Sequence, residues 1–252
     1  MLLPEQAAQE EEYAFPYHYI ASFSANEFRH ALSDSWAMNY ASTIEFILDR
    51  LQLTSFSSIV DVGCGDGRIT REIACRFPQK SVFGIDYSSR AISLAKSMNA
   101  DIQTLQFLKH DVTVDGGLPK FDAALLIEVL EHIPIEDTET FLNGVHRLLP
   151  HGGTLVLTVP HANKPLEYKH FRHFTFDTLR DAMQTKFDIR EIIPFERLQI
   201  SSRLIRSLLV NRLFILNHKR LLRAIYQYHK SHLFFCASES ECQRIFVQAV
   251  TR

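Results

Sequence analysis

Residues 58–67, Ser-Ile-Val-Asp-Val-Gly-Cys-Gly-Asp-Gly, constrain this chain more than any other stretch. Ile59, Val60 and Val62 are β-branched and apolar, the composition of a strand covered on both faces. Gly63, Gly65 and Gly67 then let the backbone bend sharply with no Cβ in the way, so a ligand could touch main chain. Downstream, Ile69, Ile73, Ala74 and Phe77 recur at helical spacing until Pro78 stops the run. Strand, glycine turn and helix in this order outline the nucleotide-binding crevice of an open α/β sheet.

The glycine spacing selects among nucleotides. A dinucleotide fingerprint G-x-G-x-x-G needs glycine at position 68, where this chain has Arg68, and the third glycine is instead Gly67. The resulting G-x-G-x-G, preceded by the acidic Asp61, resembles motif I of the class I S-adenosylmethionine-dependent methyltransferases. That resemblance implies that the turn formed by Gly63, Gly65 and Gly67 faces an amino acid and a ribose. A carboxylate at Asp61 suits such a ligand, because it attracts an ammonium group and repels a phosphate.

The next acids continue the pattern. Residues 81–86 read as a second strand ending in Asp86, placed where one carboxylate can accept from two neighbouring ribose hydroxyls. Ser88 and Ser89 cap a helix expected to run through Met98, with Ala91, Leu94, Ala95 and Met98 inward. A third strand, 105–109, leads to His110 and Asp111, and the resemblance places an adenine-facing acid at Asp111. The fourth, 121–127, delivers Glu128-Val-Leu-Glu-His-Ile-Pro, a pattern shared by many members of the superfamily, with Glu128 at the cofactor pocket. A helix over 137–149, the turn Pro150-His-Gly-Gly and a fifth strand at 154–159 follow. The resemblance covers residues 55–160 continuously. Thr175 reads as the cap of a helix to Met183, residues 187–193 as a sixth strand, and residues 244–250 as an antiparallel seventh. The fold class implied is α/β: a doubly wound, seven-stranded, mostly parallel sheet of the Rossmann-like methyltransferase type, with an antiparallel last strand and a helical insertion.

Around this core the chain divides by composition. Residues 1–12 read as a disordered acidic tail, with Glu5 and Glu10–Glu12 and little to bury. Residues 13–54 form an N-terminal helical lid, with helical periodicity from Asn26 to Leu53 and Ser33 or Asp34 as its cap. The core spans 55–196 and is completed by 239–252. Between them, 197–238 carries eight Lys or Arg and no Asp or Glu among many leucines, the composition of a basic apolar helical insertion. It could be a packed cap, or touch an anionic membrane surface or a phosphate-rich partner such as RNA. A net charge of -2 argues against wholesale nucleic-acid affinity and leaves room for a local basic face. Cys64, Cys75, Cys236 and Cys242 show neither a C-x-x-C pair nor zinc spacing, as expected of reduced thiols inside a cell. The start lacks a basic signal region, and no run is long and apolar enough to span a bilayer, so a cytoplasmic location is expected.

The expected activity is methyl transfer from S-adenosylmethionine to a hydroxyl of a small-molecule or glycan-type acceptor. A hydroxyl must lose a proton, and His132, His170 and His173 are the candidate bases, with Glu131 able to orient an imidazole. His132, His173 and Glu131 are the catalytic assignments. Glu128, Glu131 and His132 follow i, i+3, i+4 spacing, which on a helical turn aims all three to one side. With His173 they resemble the metal site of small-RNA terminal ribose 2'-O-methyltransferases, and the first part also resembles ubiquinone-pathway O-methyltransferases. A divalent metal held by these four is ranked below a metal-free site, because the continuation around the distal histidines departs from the RNA family. Two alternatives stand beside the first reading: a metal-dependent RNA terminal ribose methyltransferase, and a catalytically silent donor-binding assembly protein.

Overall fold

The computed structural model describes residues 3–7, 22–24, 27–29, 35–114, 117–197, 207, 209, 211, 213, 214, 216 and 218–252. A short hairpin of β1 (Ser22–Ser24) and β2 (Glu27–Arg29) precedes helix α1 (Ser35–Gln52). The core then alternates: β3 (Ser58–Val62), α2 (Arg68–Arg76), β4 (Ser81–Asp86), α3 (Ser89–Met98), β5 (Leu105–Lys109), β6 (Ala123–Ile127), α4 (Thr138–Arg147), β7 (Thr154–Pro160), α5 (Phe176–Met183) and β8 (Phe187–Arg197). Helix α6 (Lys219–His232) and β9 (Cys242–Thr251) close the chain. The seven-stranded sheet has the order β5-β4-β3-β6-β7-β9-β8, with β9 antiparallel to both neighbours and the β3–β4, β4–β5, β3–β6 and β6–β7 pairs parallel. The expected fold class is therefore observed.

Alternation along the central strands splits the core between the two faces of the sheet. Ile59, Ala123, Leu125 and Val156 pack with Ile44, Ile47 and Leu51 of α1 and Ile73 of α2. Val60, Ala124, Leu126, Leu155 and Leu157 pack with Phe141, Leu142 and Val145 of α4 and Leu179 of α5. Chain order reverses between β3 and β6, so a crevice opens at their carboxyl ends, the switch point where ligands of open α/β sheets bind.

Several expected boundaries shift. The N-terminal helix starts at Ser35, not Asn26: residues 27–29 pair as a strand, and the proposed caps Ser33 and Asp34 lie outside the described residues. Within the expected acidic tail, residues 4–7 are helical. In α3, Ile92 is buried and Met98 is exposed, the reverse of the expected inward set at those two positions. Strand β8 continues to Arg197, past Pro194, because its partner β9 starts as early as Cys242. Much of 197–217 lies outside the described residues, and α6 supplies the helical part of the insertion.

Candidate active site

The glycine turn is built by hydrogen bonds that only a bent backbone can make. The amides of Gly63 and Cys64 both donate to the carbonyl of Ile85, at 2.8 and 3.0 Å, which ties the turn to the end of β4. The Gly65 amide donates to Asp86 Oδ2 at 3.1 Å, and the Ser88 amide to Asp86 Oδ1 at 2.9 Å. Gly63 and Gly67 adopt φ of 75° and 77°, and a Cβ at either would sit within 2.7 Å of Val129 or Phe107. Glycine is thus required twice over, by backbone angle and by space.

Above the turn lies a cavity of about 240 Å³ lined by Gly63, Asp86, Asp111, Glu128, Val129 and His132, among others. Glu5 and Gln6 also line it, so the helical residues of the N-terminal segment sit against the site. Asp111 accepts from the Thr113 amide and hydroxyl through Oδ1, which fixes its carboxylate at the rim. Asp61 lies elsewhere. Alternation places it on the same sheet face as Ile59, under α2, where Thr70 Oγ1 donates to Oδ2 at 2.6 Å. It is 3% exposed, and burial pushes its carboxyl up to about 7, against the pull of the Thr70 bond. Asp61 thus braces the turn from below. Tyr40 of α1 adjoins this region: burial, then the charges of Asp66 and Asp61, hold its phenol well above the ordinary range.

The far wall comes from the end of β6. Glu128 is one of two non-glycine residues with positive φ among those described, at 56°, a strained backbone that turns its side chain back over the sheet. There Arg244 Nε donates to Oε2 at 2.8 Å and Thr158 Oγ1 to Oε1 at 2.9 Å. Burial opposes its ionisation, but Arg244 prevails and holds the carboxyl below its usual range. Arg244 also pairs with Glu196, the other strained residue, whose Oε1 accepts from Asn39 of α1 at 2.7 Å. The half-buried guanidinium therefore links β9 to the β6 end and β8, and through Glu196 to α1.

Glu131 takes a different environment. It sits on a 3-10 turn, Leu130–His132, is fully buried, and neither carboxylate oxygen has a hydrogen-bond partner among the described residues. Burial, reinforced by the Glu128 charge, drives its carboxyl well above the ordinary range. Beside it, His132 Nδ1 lies 3.1 Å from the Lys169 carbonyl, His170 Nδ1 lies 2.8 Å from His173 Nε2, and His173 Nδ1 lies 3.0 Å from the Lys164 carbonyl. A carbonyl only accepts, so His132 and His173 carry hydrogen on Nδ1. Neutral His173 then accepts from His170 Nδ1–H. The lone pairs of His132 and His170 are thereby left on their Nε2 atoms. The His170 imidazole is pushed down to about 3, by burial first and then by His132. One ligand atom each of Glu131, His132 and His170 lies within 4.8 Å of the others.

This arrangement corrects the four-ligand expectation. Glu128 is claimed by Arg244 and Thr158, and His173 stands one step behind His170, so the three-group cluster is Glu131, His132 and His170. The i, i+3, i+4 spacing fails because the left-handed backbone at Glu128 interrupts the helical turn it assumed. Sequence reasoning did not single out Arg244, Thr158, Glu196, Asn39 or Thr70. Arg244 left one signal, a cation at the start of the otherwise apolar run Ile245–Val247.

Comparison with known proteins agrees with this fold. Residues 60–155 match the family model described as a methyltransferase domain. A ubiquinone biosynthesis O-methyltransferase of Alkalilimnicola ehrlichii is 31% identical over 109 residues, 42% of this chain and 42% of the relative. The N-methyltransferase NodS of Bradyrhizobium japonicum, solved with S-adenosyl-l-homocysteine, superposes with a TM-score of 0.58 over 88% of this chain and 93% of its own, at 16% identity. The [4+2]-cyclase SpnF superposes with a TM-score of 0.63 over 98% and 96%, at 15% identity. The chain spans about half or less of the length of the curated relatives it matches. Residues 60–155 thus carry the likeness to a methyltransferase domain, and the sheet order and glycine turn agree with the fold of the class I S-adenosylmethionine-dependent methyltransferases.

Proposed function

We propose that this protein transfers a methyl group from S-adenosylmethionine to a hydroxyl of a small-molecule or glycan-type acceptor. The observation that carries the reading is one cavity with two unlike walls: the glycine turn with Asp86 and Asp111 on one side, His132 on the other. The donor wall fits its ligand. Gly63 and Asp86 both line the cavity, and two backbone amides fix the Asp86 carboxylate there, a group suited to accept from paired hydroxyls. When bound, S-adenosylmethionine supplies a methyl group already activated on a sulfonium, so orientation is most of the protein's task. His132, its Nδ1–H held by the Lys169 carbonyl, can take the acceptor's proton on Nε2. Glu131 and His170 lie beside it.

A second reading rests on the orphaned Glu131 carboxylate. With the lone pairs of two imidazoles beside it, each oriented through its other ring nitrogen, the cluster has the donor set of a divalent metal of the manganese, iron, cobalt or zinc type. Such an ion would polarise the acceptor oxygen as a Lewis acid. It would also bring the acceptor class nearer to the RNA terminal ribose. Methyl transfer from isotope-labelled donor to hydroxylated acceptors, before and after chelation, tests both readings, with cobalt absorption as a direct record of ion binding. Labelled ether formed equally in chelator supports the metal-free reading. Activity lost with chelator, restored by one ion and accompanied by a cobalt spectrum that Glu131→Gln removes, supports the second. Donor binding without turnover on any hydroxyl acceptor contradicts both and favours a silent donor-binding protein.

A further inference from the structure

The insertion between β8 and β9 returns to the sheet at the catalytic edge. Because β9 runs antiparallel to β7, with Arg244 opposite Pro160, the first residues of β9 lie where the parallel strands end. Phe234, just after α6, anchors this return by packing with Phe46 of α1, Phe195 of β8 and Phe246 of β9. The end of α6 and Phe234 are therefore fixed to the core.

Its charges among the described residues divide into two groups. Arg197 is spoken for by Glu241, and Lys230 by Glu45 and Asp49. Lys219, Arg220 and Arg223 are exposed and form no ion pair among the described residues. They occupy the beginning of α6, where cations oppose the helix dipole, so they do not serve the helix's own stability. Neighbouring apolar side chains are exposed as well: Leu213 is 92% exposed, Phe214 49%, Leu221 47%, and Tyr228, whose ring stacks on His232, 54%. A solvated basic cap explains the cations but leaves Leu213 and Phe214 in water for no gain. A phosphate-bearing polymer explains the cations and has no use for an aliphatic leucine. An anionic bilayer surface uses both, headgroup phosphates for the cations and the acyl boundary for the apolar side chains.

We infer that the face formed by α6 and residues 213–214 docks on an anionic lipid surface, which would hold the cavity mouth close to the bilayer. Other apolar side chains on the connection after β7 point to the same edge, with Leu166 60% and Tyr168 76% exposed. The inference does not depend on the reaction performed in the cavity.

The test is sedimentation of the full chain with vesicles of phosphatidylcholine containing about a third phosphatidylserine, against phosphatidylcholine alone. The wild type should sediment with the anionic vesicles and lose that binding as salt rises. Lys219→Gln, Arg220→Gln and Arg223→Gln together should lower the partition coefficient on the order of a hundredfold. Leu213→Ser with Phe214→Ser keeps the charge and should lower it about tenfold or more, while melting temperature and S-adenosylhomocysteine affinity stay at wild-type values. No binding of the wild type to anionic vesicles overturns the inference. So does a Leu213→Ser, Phe214→Ser variant that binds vesicles as the wild type does, since cations alone would then suffice. Binding to single-stranded RNA that only the charge variant weakens, with no vesicle binding, assigns the face to nucleic acid instead.

Discussion

Replacing Gly63 by alanine separates the two reasons for glycine in the turn. At φ 75° the added Cβ costs about 1–2 kcal/mol, offset by about 0.4–1 kcal/mol from the stiffer unfolded chain. The same Cβ would stand 2.7 and 3.1 Å from the two methyl carbons of Val129, and making room in a packed site costs about 1–3 kcal/mol more. Gly63→Ala should therefore lose about 1–5 kcal/mol of unfolding free energy. Gly152 is the matched control: its φ is also 75°, but an added Cβ meets nothing within 4 Å, so Gly152→Ala should lose about 1.6 kcal/mol or less. Urea unfolding measures both. Val129 lines the cavity, so the methyl that displaces it should also weaken S-adenosylhomocysteine binding about tenfold or more in Gly63→Ala and leave it unchanged in Gly152→Ala. Equal losses of stability in the two variants, within about 0.5 kcal/mol, or equal affinities, would refute the claim that the turn is shaped by close approach.

The buried carboxylates supply further expectations. Asp61 has its folded pKa raised to about 7, so its contribution to stability is present below its unfolded pKa and is lost as pH rises through 7. That loss amounts to about 4 kcal/mol at most, and Asp61→Asn should abolish it in urea titrations at acidic and mildly alkaline pH; an unchanged pH slope contradicts the assignment. Arg244→Ala leaves Glu128 and Glu196 facing each other without their cation and should destabilise by about 3–5 kcal/mol, part of which Glu196→Gln restores. A loss under about 1 kcal/mol would mean that the clamp is solvated. Gly144→Ala should be among the most damaging single changes in α4, because its Cβ would fall 1.9 Å from the Val112 carbonyl oxygen, which thermal unfolding reads directly.

How far the sequence disclosed this molecule depends on whether the information is local. Strands β3, β4, β5 and β7 are legible because apolar runs and turn residues bound them on both sides, and the Thr175 cap is observed as a reciprocal pair with Thr178. The start of α1 is not legible: the apolar spacing from Asn26 to Leu53 continues through a segment where pairing between β1 and β2 wins. That Gly63, Asp86 and Asp111 line one cavity follows from their places at the ends of successive strands. Asp61 carried the same signal yet faces the opposite side, because strand alternation at 61 sends its side chain under α2. The acceptor wall needed tertiary information. Only the placement of β9 between β7 and β8 brings Arg244 to Glu128, and only the fold of the loop after β7 sets His170, ahead of His173, beside Glu131.

The most direct measurement is a calorimetric titration of the full chain with S-adenosylhomocysteine, run beside one with a reduced nicotinamide dinucleotide. The account predicts saturable, micromolar binding of the first that Asp86→Asn weakens about tenfold or more, and no heat from the second. An absence of heat from S-adenosylhomocysteine, or binding of the dinucleotide in its place, would contradict it.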